Sequence, residues 1–365
     1  MFANANKYHL EITTYCNAAC PQCPRNINGS GINPYLQLVH LPRTVIDQAF
    51  SKDICVNLER IFFCGAYGDP IMHPDFLDIL RDFRSKNPTL WLYCATNGGA
   101  RSEDFWSDLA TILGDYGQVD FGIDGLEDTN HLYRRNVNWA KLMANVKSFI
   151  SAGGRAQWSC IAFQHNEHQF DQIKILAKEL GFINTIIRNT GRFLNKDTLE
   201  EMSEWKVESD IPYSLKPPSN LHLLNSNVAN RPKVVEKIVN LDQHFSEVQI
   251  KCFSLENREM FISAEGIVLP CSYFHHNLYN ARLYNKTNSE SLTRDLYSEG
   301  GKNQVRSFLE SYGLDNLNIN YHSLSDILQN PIWDKLKESF TKELRQGRLF
   351  ECAMTCGTKI TRVWD

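Results

Sequence analysis

The chain has 365 residues, 42% hydrophobic and 22% charged, with a formal net charge of −4. This is ordinary globular composition with room for more than one core, and the charge gives no footing for strong nucleic-acid binding. No apolar run approaches the ~18 residues of a membrane span, and residues 1–10 lack the apolar stretch of a signal peptide.

Between residues 8 and 188, β-like runs alternate with helix-like segments. The predicted strands are 8–13, 60–64, 90–95, 119–123, 156–162 and 185–188. The predicted helices are 44–50, 74–84, 104–113, 139–152 and 167–180. Pro74 stands where a first turn tolerates it, and Gly153 and Gly181 stand just past two helix ends. Six strands alternating with helices predict a parallel α/β fold, curled by right-handed crossovers into a full or partial barrel. Residues 200–243, rich in Asn and Ser and holding Pro212, Pro217, Pro218 and Pro232, read as a connection between domains. A second unit, 246–365, carries a predicted hairpin at 260–270.

The unusual loops share one rim. Residues 16–23 follow the first strand, 65–70 the second, 96–99 the third, and Asp124 and Gly125 the fourth. In a parallel barrel the C-terminal ends of the strands are where loops build an active site.

The first loop reads Cys16-Asn17-Ala18-Ala19-Cys20-Pro21-Gln22-Cys23, a C-x3-C-x2-C spacing. Three thiolates this close suit three corners of a 4Fe–4S cluster and leave one iron open to an outside ligand. Structural zinc is the competing reading, but it wants four ligands, and His9 and His40 do not sit at finger spacing. Eleven cysteines in 365 residues, about 3%, fall well below the density of a disulfide scaffold. An odd count fits a cytoplasmic chain with metal thiolates and a few buried thiols.

With these motifs in order, the chain resembles a radical S-adenosylmethionine (radical SAM) enzyme over about residues 8–190. The resemblance implies a partial (β/α)6 barrel over residues 1–199, with Cys16, Cys20 and Cys23 holding a 4Fe–4S cluster whose open iron takes the amino and carboxylate groups of SAM. Electron transfer then yields a 5′-deoxyadenosyl radical that abstracts a substrate hydrogen. Residues 65–70, with Gly65, Tyr67, Gly68 and Asp69, match the glycine-rich segment that meets the SAM amino group. Thr96 and Asn97 match a Thr-Asn-Gly step near SAM, and Asp124 a Ser-Ile-Asp-Gly step near the ribose or substrate. Arg134 or Arg135 stands where related enzymes place an arginine on the SAM carboxylate. There are departures: Gln22 replaces an aromatic residue, Asp69 a Glu, and Gly122 a Ser. Read alone, the glycines are a β–α turn, Asn97-Gly98 a turn dipeptide and Asp124 a helix cap.

Cys252, Cys271, Cys352 and Cys356 form a second group. Cys252, Gly266 and Cys271 resemble the opening of SPASM and twitch domains, and residues 323–333 resemble the helix before their last cysteines. Four thiolates suffice for one auxiliary 4Fe–4S cluster in a smaller α+β domain at 246–365, with a four-thiolate zinc site as the alternative. Cys55, Cys64, Cys94 and Cys160 read as buried small residues. The implied activity is a two-electron oxidation, by dehydrogenation or peptide modification, with the auxiliary cluster as electron relay. A flavodoxin- or ferredoxin-type protein is the implied reductant. A barrel that starts by residue 8 favours a small molecule or a peptide delivered by a separate protein. The rivals are a radical SAM epimerase, isomerase or bond-forming maturase and, outside catalysis, a zinc-stabilised binding protein. Arg188 is the candidate for substrate handling, with pairing to an ordinary carboxylate as its competing reading; His73, in His73-Pro74-Asp75, reads as orienting a helix start, and His165, His275 and His276 have no identified partner.

Overall fold

The six predicted runs become parallel strands β1 (Lys7–Leu10), β2 (Arg60–Phe63), β3 (Trp91–Thr96), β4 (Gly117–Gly122), β5 (Ala156–Ile161) and β6 (Asn184–Arg188), each paired with the next. The computed structural model describes residues 2–193, 202–224, 241–284, 298–299 and 302–358. Between the strands run helices α1 (Arg43–Ala49), α2 (Phe76–Lys86), α3 (Glu103–Leu113), α4 (Trp139–Ser151) and α5 (Phe170–Leu180). Local signals set their limits. The side chains of Ser102 and Asn138 accept backbone N–H bonds from Phe105 and Lys141 and so cap α3 and α4. Gly181, at φ +91°, ends α5 in the left-handed region that glycine enters without strain.

The strands divide side chains between two layers. Tyr8 packs on Phe50 of the helical layer, and Phe63 packs on Phe76 and Phe83 of α2. His9, Phe62 and Tyr93 form a chain of ring contacts on the other, inner face. In α2, Phe76, Ile79, Leu80 and Phe83 are buried at the spacing of one helical stripe.

The hairpin of the second unit also forms, as β7 (Glu259–Ile262) with β8 (Val268–Leu269). It does not make a sheet of its own. The order is β8-β7-β1-β2-β3-β4-β5-β6, with β7 parallel to β1 and Leu10 opposite Ile262. The strand that opens the barrel is therefore interior, its backbone groups paired on both sides. The core is continuous across this seam: Phe2 stacks on Trp333, and one cluster includes Leu10, Ile61, Ile262, Leu269 and Trp333. A smaller cluster of Phe245, Val248, Leu344, Phe350, Ala353 and Met354 seats helix α7 (Phe350–Cys356). Helix α6 (Ser272–Tyr284), which the sequence pattern did not announce, follows Cys271 directly. Among the described residues no helix is long and apolar enough to cross a membrane.

The stretch at 200–245, expected as a connection or a partly ordered crossing between domains, is described over part of its length. Residues 202–224 contain an antiparallel hairpin, Trp205–Val207 with Tyr213–Leu215. Tyr213 donates its hydroxyl to Leu132 O, and Glu208 N–H bonds Asn28 O, so the segment packs on the barrel rim. Residues 200–201 and 225–240, Pro232 among them, lie outside the described residues.

Ile262 is fully buried at the seam. Ile262→Ala should lower unfolding free energy by about 2–4 kcal/mol. Urea titrations followed by fluorescence and by far-UV dichroism should shift to the same midpoint; a separate C-terminal transition would contradict a shared core.

Candidate active site

Turns and neighbouring loops shape the loop at 16–23. Cys23 N–H bonds Cys20 O at 3.1 Å, Ala19 N–H bonds Arg135 O at 3.0 Å, and the Asn26 side chain bonds Cys20 O at 3.3 Å. Its sulfurs receive weak donors: Ala18 N–H and Asn97 Nδ2 on Cys16 Sγ at 3.4 and 3.7 Å, and Arg134 Nη1 on Cys20 Sγ at 3.8 Å. Burial pushes the Cys20 thiol up to about 11 against the pull of Arg134, with Cys23 adding to the rise. Burial likewise pushes Cys16 far up, and Asp69, Cys20 and Cys23 push the same way. Cys16 and Cys20, each disfavoured from ionising by burial and by neighbouring sulfur, would ionise more readily around a bound cation. Among the described residues, no three His, Cys, Asp or Glu side chains are grouped to hold a single metal ion. A cluster asks less convergence, because each thiolate binds its own iron.

The glycine loop at 65–70 is clamped from both ends. Tyr67 and Gly68 donate backbone N–H bonds to Glu11 Oε1 at 2.6 and 3.0 Å. Asp69 N–H bonds Tyr15 O at 2.8 Å. A Cβ on Gly65 would stand 1.9 Å from Gly68 O, and one on Gly68 would stand 1.9 Å from Thr13 O. Only glycine lets these backbones meet. Asp69 is a brace here. Its Oδ2 accepts from Thr96 Oγ1, Asn97 N and Asn97 Nδ2 at 3.0, 2.9 and 2.7 Å, and its Oδ1 accepts from Ile71 N at 3.3 Å. The carboxylate expected to receive an ammonium thus joins the second and third loops. Tyr67 is 1% exposed, with its ring turned onto His275, His276 and Tyr279. It offers the loop its backbone only.

Asp124 is fully buried. Its Oδ2 meets Arg134 Nε at 2.6 Å and its Oδ1 accepts from Ile161 N at 2.5 Å. The structure separates the two arginines: Arg134 reaches Cys20, whereas Arg135 Nη1 donates to Gly29 O and Glu208 O at 2.6 and 2.8 Å, away from the sulfurs. Arg135 is a brace for the rim hairpin. Gly122 also finds its reason, since a Cβ there would sit 2.3 Å from Arg134 Nη2.

Arg192, unremarked in the sequence, donates to Gln22 O at 3.0 Å and the Tyr133 hydroxyl at 3.1 Å, and lies in the field of Cys20 and Cys23. Both polar atoms of the Gln22 carboxamide are buried without a partner among the described residues.

Arg188 takes its competing reading. It pairs with Asp120 at 3.2 Å and donates to Ser159 Oγ at 3.2 Å, while Asp120 also accepts from the Tyr93 hydroxyl at 2.9 Å. His73 orients a helix start through Leu41 O and Asp75 N–H, and His165 stacks on Phe163. Cys55, Cys94 and Cys160 are buried, but Cys64 is only half-buried, beside the glycine loop.

The four C-terminal cysteines come together from three places in the fold. Cys252 starts the short helix Phe253–Asn257, Cys271 precedes α6, and Cys352 and Cys356 share one face of α7. Lys251 N–H bonds Cys356 O at 2.9 Å and joins the two ends of the set. Burial pushes Cys252 up to about 11, with Cys356 adding to the rise; burial first, then Cys252, Cys271 and Cys356, pushes Cys352 far up. A cavity of about 390 Å³ is lined by all four cysteines together with His9, Phe62 and Tyr93 of the inner barrel face.

Sequence reasoning passed over Glu11, Arg192, His275 and Glu265. Glu11 offered a signal, an acid inside an apolar run just before the cysteine loop; the others offered none without a partner in view. Arg134→Ala would leave Asp124 buried and unpaired, so it should cost about 3 kcal/mol or more. Arg135→Ala should cost about 1 kcal/mol, the loss of hydrogen bonds near the surface. Chemical denaturation of both variants checks the ranking, and equal losses would refute it.

No protein-family model and no curated protein matches the chain. Solved structures do. Streptococcus suis SuiB bound to the precursor peptide SuiA matches at TM-score 0.53 and 13% identity, over 94% of this chain and 70% of that one. Native anSMEcpe with bound AdoMet and Cp18Cys peptide matches at TM-score 0.51 and 14% identity, over 98% of this chain and 92% of that one. SuiB bound to S-adenosylmethionine matches at TM-score 0.48 and 14% identity over 74% of this chain, which spans 61% of that one. In its mostly parallel eight-stranded sheet and in the order of its elements, the chain has the radical SAM fold.

Proposed function

We propose that the chain is a radical SAM enzyme with two 4Fe–4S clusters that oxidises a small molecule or peptide by two electrons. Cys16, Cys20 and Cys23 would hold the SAM-binding cluster, and Cys252, Cys271, Cys352 and Cys356 the auxiliary one. With SAM bound, the first cluster supplies a 5′-deoxyadenosyl radical that takes a hydrogen atom from the substrate.

The chain's own residues set the conditions. The loop at 65–70 presents backbone groups to the SAM amino end, fixed by Asp69 from one side and Glu11 from the other. Arg134, already beside Cys20, is the cation for the SAM carboxylate. Donors on Cys16 and Cys20 stabilise the more negative, reduced cluster and raise its potential. The orphaned Gln22 carboxamide offers one donor and one acceptor, which suits the edge of an adenine.

One observation carries the oxidative reading: the cavity that the four C-terminal cysteines share with His9, Phe62 and Tyr93. An auxiliary cluster there adjoins the barrel interior, where a substrate radical would arise and lose its second electron. Residues 1–199 and 246–365 then divide the labour of radical generation and electron removal, joined by 200–245. Eleven unpaired cysteines suit the reducing cytoplasm, and a flavodoxin or ferredoxin the supply of electrons. Peptides bound to the structural neighbours support a peptide as one substrate class.

Anaerobic reconstitution should give a brown protein with about eight iron per chain, two four-iron clusters. With SAM and a reductant it should release 5′-deoxyadenosine, and the product should be lighter by two hydrogens. About four iron would remove the auxiliary cluster. A product of unchanged mass would favour the isomerase reading, and a colourless zinc protein would end the proposal.

A further inference from the structure

Behind the glycine loop lies a chain of buried ionisable groups that the chemistry above does not use. Glu11 and His275 are both fully buried, with His275 Nδ1 3.3 Å from Glu11 Oε2. On the other side of the ring, His275 Nε2 lies 3.4 Å from Glu265 Oε2, at the hairpin turn. Glu265 also accepts the Tyr279 hydroxyl of α6. The second oxygen of Glu11 holds the N–H groups of Tyr67 and Gly68. The Tyr67 ring packs on His275 and Tyr279 at 5.1 and 5.2 Å, and its hydroxyl lies 3.3 Å from His276 Nδ1. The loop thus touches α6 twice, through the carboxylate of Glu11 and through the ring of Tyr67. Helix α6 starts at the residue after Cys271.

Burying two carboxylates and an imidazole is costly, and apolar side chains would hold a helix against a loop with less desolvation. What ionic groups add is direction. The 3.3 Å approach of the His275 ring to its other oxygen limits how the Glu11 carboxylate can turn while it binds the two backbone N–H groups.

We infer that Glu11 and His275 are positioning residues that tie the SAM-binding glycine loop to the helix leaving Cys271, so that the loop's grip on SAM is set from the C-terminal unit. This rests on the assignment of residues 65–70 to SAM. The titratable groups facing Glu11 are His275 and Tyr279 from α6, Glu265 from the hairpin, Tyr67 and Cys64 from the loop region, and His9 from β1. Burial pushes the Glu11 carboxyl up to about 7, against the pull of His275 and of the Tyr67 N–H. Above that pH Glu11 is ionised and its two N–H bonds are charge-assisted, and below it they weaken.

The test uses the full chain, with and without reconstituted iron. His275→Gln should speed amide hydrogen exchange across residues 64–70, read by mass spectrometry without SAM. It should also weaken SAM binding in equilibrium dialysis by about tenfold, the lower end for losing a supporting partner of a ligand group. Glu11→Gln keeps an acceptor for Tyr67 and Gly68 but cannot ionise. It should show the same loss and abolish a rise in wild-type SAM affinity with pH centred at about 7. Tyr279→Phe keeps the ring packing and the link, so it should bind SAM like the wild type. Wild-type exchange and affinity in His275→Gln would overturn the link. If that variant does not fold, Glu11→Gln decides in the same way. An equal loss in Tyr279→Phe would also overturn it, by reducing the effect to general packing. If the wild type binds no SAM, the functional reading fails, while exchange at 64–70 still judges the link.

Discussion

Pairing of β1 with β7 is the constraint on which the rest of the site depends. A barrel open at its first strand would leave Lys7–Leu10 with one row of unpaired backbone groups. The C-terminal hairpin fills that edge, and Glu11 N–H bonds Ile262 O at 2.9 Å as the strands diverge. The return strand and helix α6 are then held beside that edge. Cys271 is placed by the hairpin's return strand, and His275 arrives one helical turn later. The two cysteine sets thus belong to one packed body even though the chain visits them far apart.

The electrostatics follow from burial. Each cysteine set places thiols where ionisation is disfavoured by lost hydration and by neighbouring sulfur. The buried carboxylates nearby have close partners, Arg134 on Asp124 and the His275 ring between Glu11 and Glu265. Glu265 shows how strong that pairing is. Burial alone would raise its carboxyl, yet His275, Tyr279 and Ser263 outweigh burial and hold it at about 2. The sulfurs of Cys16 and Cys20 receive N–H donors at 3.4–3.8 Å, the Arg134 guanidinium among them, and bound iron would supply further positive charge.

Much of this was legible in the sequence, for identifiable reasons. Strands buried on both faces read as apolar runs, and their helices end at glycine, so β1–β6 lie within a few residues of their expected places. Cysteine and glycine mark the rim because few other residues serve there. The pairing of β7 with β1 was not legible, since residues 259–262 announce a strand but not its neighbour. Glu11 read as one polar residue in a strand, because its partner His275 lies in a distant helix. Arg134 and Arg135 could not be told apart by spacing, for adjacent residues in a turn point in opposite directions. Arg188 looked available because Asp120, which neutralises it, sits on another strand.

The departures from the resembled pattern are physically linked to one another. Where a serine would stand, Gly122 leaves room for the Arg134 guanidinium, which any Cβ would strike at 2.3 Å. That guanidinium reaches both Asp124 and Cys20, so the missing Cβ leaves the space in which it makes its charged contact to sulfur. Replacing an aromatic ring, Gln22 removes a stacking surface but places an unpaired carboxamide in the same loop, where Arg192 holds the Gln22 backbone carbonyl. On the proposed reading, recognition would shift from a ring face to hydrogen bonds at an edge. Such bonds lose more than a stack does when their partner is missing, because both buried polar atoms are then left unsatisfied. A site built in this way would discriminate by what the bound base can donate and accept, with two cationic side chains, Arg134 and Arg192, in the field of the same sulfur, Cys20.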